Sequence, residues 1–262
     1  EVNERGEIIP LAHATKIRPK WNALIEEYVA YLRDACGPNL HSVYVRGSVA
    51  KGADEDRVSD FDGFAIVHES DPQFDDSKWD AFGEYLLDKY PFCTGVEGAL
   101  IPIQTLGKAG NLWSRFIKTQ SVCLWGQDLA ETIRPYQLND MVHYAKYIKF
   151  NLETLLEKYY RDDRGNDKDM KSSCLWAARI LLRTGFETLM YQRNRWSNDL
   201  YICYRSLSEA HPEKTDLFYR TLNLSLNPSS DESTIRKMVA EWMPWIYDEI
   251  RSNLKIESDC SY

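Results

Sequence analysis

The chain has 262 residues, 44% of them hydrophobic, with 13 Gly and 10 Pro. That composition excludes collagen-like and low-complexity disordered classes and supplies enough apolar residues for one large core or two domains of about 100–150 residues each. Lys and Arg total 32 against 40 Asp and Glu, giving −8, and the excess is concentrated up to Ala130, where 13 basic residues face 20 acidic ones; with no basic stripe, such a half repels phosphate backbones, which argues against a nucleic-acid substrate and favours cations or metal-masked anions.

Residues 1–10 are charged and carry no apolar core of the kind a leader peptide needs, and no apolar run approaches the roughly 18 residues of a spanning helix. Neither secretion nor membrane insertion is expected. Residues 19–35 place Trp21, Leu24, Ile25, Tyr28, Val29, Tyr31 and Leu32 on a 3.6-residue period ended by Gly37-Pro38, which predicts a helix. Residues 41–46 (HSVYVR) predict a strand running into a turn at Gly47, and 61–67 (FDGFAIV) a second strand. Between them, Asp54, Glu55 and Asp56 read as an exposed loop. Residues 77–90 predict a helix broken by Pro91, and 96–103 (VEGALIPI) a third strand with Glu97, Ala99, Ile101 and Ile103 on one face. Beyond about Arg134 the pattern is helical over 139–160, 171–193, 200–210 and 231–254, with a charged connection at 161–169 and a loop at 226–230 before a capped final helix.

The six cysteines (Cys36, Cys93, Cys123, Cys174, Cys203, Cys260) form no C-x-x-C pair and no dense framework, a spacing that fits reduced thiols in a cytoplasm. The five histidines show neither H-x-H nor H-E-x-x-H spacing, and there is no G-x-S-x-G elbow, Walker A lysine pattern or zinc-ligand cluster. The many Tyr and Trp residues read chiefly as core packing. No motif specifies an oligomeric state.

The chemistry is concentrated in residues 43–67, VYVRGSVAKGADEDRVSDFDGFAIV. Gly47-Ser48 follows a strand and precedes a segment able to start a helix, so backbone N–H groups and the Ser48 hydroxyl can converge on an anion, with phosphate the natural candidate. Asp60 and Asp62 flank Phe61 at a strand start, and the period of two puts both carboxylates on one face. Side by side they repel unless a cation sits between them or one is protonated, and Mg²⁺ prefers such oxygen ligands together with substrate phosphates. Glu97 on the next predicted strand supplies a third carboxylate.

The series Gly47-Ser48, Asp60-Phe61-Asp62, Glu97 resembles the nucleotidyltransferase superfamily that includes DNA polymerase beta. Within it, GSVAKG, SDFDGFAIV and VEGALIPI followed by a helical half look most like bacterial aminoglycoside adenylyltransferases of the streptomycin/spectinomycin type. Residues 121–129 (SVCLWGQDL) resemble a closing stretch of these domains. The resemblance implies an α/β (α+β) nucleotidyltransferase domain with a small mixed sheet over residues 1–133, followed by an α-helical bundle domain over 134–262 that binds substrate or nucleotide. It implies Mg²⁺ held by Asp60, Asp62 and Glu97, ATP as co-substrate gripped by Gly47 and Ser48 with charge from Lys51, and Glu97 in the general-base position. Arg179, in LWAARIL, matches a segment that contacts nucleotide, whereas Trp196-Ser197-Asn198-Asp199 lacks the lysine of the pattern. Arg179 and Arg183, four apart on a helix, are open to ion pairing as well as to phosphate contact.

The expected reaction is transfer of a nucleoside monophosphate, AMP from ATP, to a hydroxyl of a small acceptor, with an aminoglycoside, and hence antibiotic resistance, as the leading case. The alternatives are AMP transfer to a protein side chain, as in antitoxin-type and glutamine-synthetase-modifying enzymes, and a catalytically silent nucleotide-binding module.

Overall fold

The computed structural model describes residues 1–69, 76–107, 111–149 and 169–254. The chain divides into two compact units, Glu7–Tyr136 and a second made of Glu1–Gly6 with Gln137–Tyr262. No described helix is long and apolar enough to cross a membrane.

In the first unit, strands β1 (Leu40–Val45), β2 (Phe61–Val67), β3 (Val96–Glu97), β4 (Leu100–Pro102) and β5 (Val122–Gly126) form one small mixed sheet. β1 pairs antiparallel with β2 on one side and β5 on the other. The far edge of β2 takes β3 beside Phe61 and Asp62 and β4 beside Ala65 to Val67, both parallel. Alternation along the strands makes two cores. Val43, Val45, Phe61, Ala65 and Val67 pack with Trp21, Leu24, Tyr28 and Leu32 at the start of and along helix α1 (Asn22–Cys36), while Tyr44, Phe64 and Ile66 pack on the other face with Ile101, Ile117 and Leu129. Tyr44 and Phe64 are register partners whose rings stack at 5.2 Å. With both faces covered, β1 and β2 are almost wholly buried, which is why their sequences read as near-continuous apolar runs.

Three readings change. The strand expected over 96–103 is two short pieces, because the indole of helix α3 (Asp76–Lys89) fills the space beside Gly98: a Cβ there would stand 2.0 Å from Trp79 Cζ2. Ile103–Thr105 is a 3₁₀ turn. Asp54 is not an exposed loop residue but fully buried, with Lys20 Nζ at 2.7 Å from Oδ2 and Arg18 Nε at 3.4 Å from Oδ1; Glu55 and Asp56 are exposed. An elongated helix was not expected at α4 (Leu112–Gln120), capped by Asn111, whose side chain accepts from the N–H groups of Trp113 and Ser114.

The second unit is helical: α5 (Tyr144–Lys149), α6 (Met170–Arg193), α7 (Leu200–Ala210), α8 (Thr215–Leu226) and α9 (Glu232–Asn253). Of the expected helix over 139–160, residues 138–141 form a 3₁₀ turn and α5 begins at Tyr144; the rest, and the charged connection up to residue 168, lie outside the described residues. The stretch 226–230 is a loop only from Asn227, because α8, which the sequence did not announce, ends on Leu226. α6 is the unit's central helix, with Ala177, Leu181, Leu182 and Phe186 fully buried. Glu187 on this helix is also buried, and its carboxylate accepts the N–H groups of His143, Tyr144 and Ala145 at 2.9, 3.0 and 2.7 Å, capping the start of α5. Arg183 is tied internally, Nε donating to the Asn198 carbonyl at 3.0 Å and Nη1 to the Tyr144 hydroxyl at 3.2 Å. An aromatic group of Phe218, Trp242 and Trp245 joins α8 to α9, with Trp242 Nε1 donating to Thr221 Oγ1 at 2.8 Å.

Candidate active site

β1 ends at Val45, and the next residue, Arg46, donates its backbone N–H to the Asp62 carbonyl at 3.0 Å, extending the β1–β2 ladder by one bond. Gly47 then turns the chain with φ +74° into the short helix α2 (Gly47–Lys51). Only glycine serves here. A Cβ on Gly47 would lie 1.8 Å from Asp62 Oδ2, so the turn backbone is pressed directly against a carboxylate.

Register brings the acids together. Asp62 is paired with Glu97 across the parallel β2–β3 ladder, and Asp60 precedes β2 by one residue. One oxygen from each of Asp60, Asp62 and Glu97 lies within 4.8 Å of the other two. The Asp62 side chain is 14% exposed and that of Glu97 58%, so the cluster runs from a sheltered base to an open rim. Burial is the main force pushing the Asp62 carboxyl up to about 7; the Arg46 guanidinium opposes it, and the charges of Asp60 and Glu97 add to it.

These residues fit a divalent cation. The donors are hard carboxylate oxygens, and oxygens sharing one Mg²⁺ stand about 3 Å apart when adjacent and about 4 Å when opposite, given bonds near 2.1 Å. Small side-chain adjustments take the three acids from their present spread into that range. Ser48 Oγ, next to the turn, is buried and has no hydrogen-bond partner among the described residues, a donor available to an incoming anion.

Of the sequence-predicted set, Asp60, Asp62, Glu97 and Gly47 are thus brought together, with Ser48 adjoining. Lys51 is the last residue of α2, half-buried at the helix end opposite the Gly47 turn. Arg179 is exposed on α6, in the other unit. One participant was missed. Arg46 Nη2 lies 2.9 Å from Asp62 Oδ1 and 2.9 Å from Glu97 Oε2, and the guanidinium sits over the Phe116 ring at 5.1 Å. Strand parity could have found it, since Tyr44 and Arg46 share the sheet face of Asp62 and Phe64.

No protein-family model and no curated protein matches the sequence. Among solved structures, the chain is similar to spectinomycin adenyltransferase AAD(9) from Enterococcus faecialis, determined with ATP and spectinomycin, at 15% identity and a TM-score of 0.51 over 87% of this chain and 98% of that one. The fold is that of the nucleotidyltransferases. The small mixed sheet followed by helices is the architecture the sequence resemblance implied. Partial overlaps occur with the toxin–antitoxin MntA–HepT (14% identity, 53% of this chain and 98% of that one, TM-score 0.27) and with a tri-AMPylated Shewanella oneidensis HEPN toxin in complex with MNT antitoxin (14%, 52% and 97%, 0.27). In this nucleotidyltransferase fold, the start of β2 and the two-residue strand β3 carry the carboxylate cluster, beside the end of β1.

Proposed function

We propose that the chain is a nucleotidyltransferase that moves AMP from ATP to a hydroxyl of a small cationic acceptor of the aminoglycoside class, with Mg²⁺ held by Asp60, Asp62 and Glu97. The observation that carries this reading is the convergence of those three carboxylates, with Asp62 pressed against the Gly47 turn. The likeness to an adenyltransferase solved with ATP and spectinomycin supports the choice of nucleotide and acceptor class, as does the acidity of the first half of the chain, which attracts a polycation. The scattered cysteines, with no C-x-x-C pair, support a cytoplasmic setting for the reaction.

Bound Mg²⁺ supplies charge neutralisation on the phosphates and orients the α-phosphorus for in-line attack. The protein does the rest. Asp62, sheltered and fixed by β2, and Asp60 beside it hold the cation. The backbone of the Gly47 turn and the Ser48 hydroxyl face the phosphates, and Lys51 is assigned to the remaining phosphate charge. Glu97, at the open rim, accepts the proton of the acceptor hydroxyl as that oxygen attacks, and pyrophosphate leaves.

The test is incubation with α-labelled ATP, Mg²⁺ and a panel including spectinomycin and streptomycin. Label on one of these with stoichiometric pyrophosphate supports the reading. Label on a protein side chain moves the acceptor to the protein class, and absence of pyrophosphate release with every nucleotide and acceptor, together with unaltered nucleotide binding in Asp60→Ala, leaves a silent module.

A further inference from the structure

Resting on the nucleotidyl-transfer reading, we infer that Arg46 is a resident counter-cation of the carboxylate cluster, displaced by the divalent metal and then taken up by the nucleotide, so that metal and triphosphate bind together and the metal alone binds weakly. A single nitrogen, Nη2, bridges Asp62 and Glu97 with two contacts of 2.9 Å. The backbone N–H of the same residue is fixed on the Asp62 carbonyl, and the Phe116 ring supports the guanidinium from the side. Arginine keeps its charge at every working pH, so the carboxylate cluster always faces a cation while the protein is alone.

A metal taking the same two oxygens at about 2.1 Å would stand within a few ångströms of that nitrogen. Like charges so close in a sheltered site repel strongly, and the guanidinium has to leave. Leaving costs least when another planar anion is at hand, and a phosphate accepts the two parallel N–H donors of a guanidinium as well as a carboxylate does. The triphosphate that arrives with the metal supplies that anion. Arg46 thereby couples the two ligands. It opposes free metal and favours the metal–nucleotide complex, and by linkage each ligand raises the affinity for the other by the same factor.

The experiment is a titration of the whole chain with Mn²⁺, read by loss of the free-ion EPR signal, with and without a non-hydrolysable ATP analogue, for wild type, Arg46→Met and the Asp60→Asn/Asp62→Asn double variant. Methionine keeps the contact with Phe116 and drops the charge. Expected without nucleotide is about tenfold tighter Mn²⁺ binding by Arg46→Met than by wild type, and the gain on adding nucleotide, measured against a protein-free nucleotide control, is about tenfold smaller in Arg46→Met than in wild type, a coupling of ordinary size. Equal or weaker Mn²⁺ binding by Arg46→Met overturns the inference and leaves the functional reading standing, provided wild type binds and the double variant does not. No Mn²⁺ binding by wild type with nucleotide present removes the functional reading and this inference with it. Should circular dichroism show Arg46→Met unfolded, the Nε–H resonance of Arg46 in the wild-type protein decides: a shift on adding Mg²⁺ is expected, and an unmoved resonance at saturating Mg²⁺ overturns displacement.

Discussion

Arg46 grips Asp62 twice, its backbone N–H on the carbonyl at 3.0 Å and its guanidinium on the carboxylate at 2.9 Å. The strand end and the acid it faces therefore move as one unit. Asp62 is the more sheltered ligand of the two, on the seven-residue strand β2, whereas Glu97 is exposed and sits on a strand of two residues. Asp60→Asn and Asp62→Asn are each expected to reduce pyrophosphate release by at least about 10³-fold, whereas Glu97→Gln falls within the roughly 10²–10⁴-fold range of a lost general base. Comparing turnover with Mn²⁺ affinity separates the roles: a loss of turnover in Glu97→Gln that parallels its loss of Mn²⁺ binding makes Glu97 a ligand only.

Gly47→Ala is expected to disable the site without any change of charge. Alanine at φ +74° costs about 1–2 kcal/mol in backbone strain alone, and its Cβ would collide with Asp62 Oδ2 at 1.8 Å. Both the melting temperature and Mn²⁺ affinity should fall. A variant with wild-type Mn²⁺ affinity would show that the turn does not need to approach Asp62 so closely.

In EDTA, Asp62 makes the metal-free protein prefer mild acid. Burial pushes its carboxyl in the folded protein up to about 7, above the ordinary carboxylate range at about 4, so the folded state binds the proton more tightly than the unfolded chain and stability falls as pH rises through that window, by on the order of 4 kcal/mol at most. Asp62→Asn should remove this part of the slope and stabilise the metal-free protein at pH 8 relative to wild type. Urea denaturation at pH 5 and pH 8 measures it, and an unchanged difference between the two pH values in Asp62→Asn would contradict the burial of that charge.

Glu187→Ala tests the helical unit. Removing a buried carboxylate that accepts three backbone N–H groups strands the first turn of α5, and a loss of about 3 kcal/mol is expected from urea denaturation. Turnover of the residual folded protein should change little in kcat. A stability within about 0.5 kcal/mol of wild type, the range of ordinary surface changes, would mean that water replaces the cap.

What the sequence made legible depended on range. The strand Phe61–Val67 was readable because its burial on both faces writes itself as an unbroken apolar run behind two aspartates. Helix α8 was not, because Pro212 and a polar start hide a period whose buried positions are only Phe218, Thr221, Leu222 and Ser225. Asp54 looked solvated because Lys20 and Arg18, which neutralise it, lie more than 30 residues upstream. Arg46 was passed over for the same reason: its second partner, Glu97, is 51 residues away. The three acids were legible through their spacing, but only the parallel register of Asp62 with Glu97 places them on one point.

The Trp79 indole wedged beside Gly98 has a consequence for association. It cuts the outer edge of the sheet into ladders of two and three residues, Val96–Glu97 and Leu100–Pro102, the second ending in a proline. A foreign strand needs a longer, straighter row of unpaired N–H and C=O groups to add itself. The side of the sheet that carries Glu97 is thereby protected against strand addition, and the open rim of the acidic cluster stays available to small molecules.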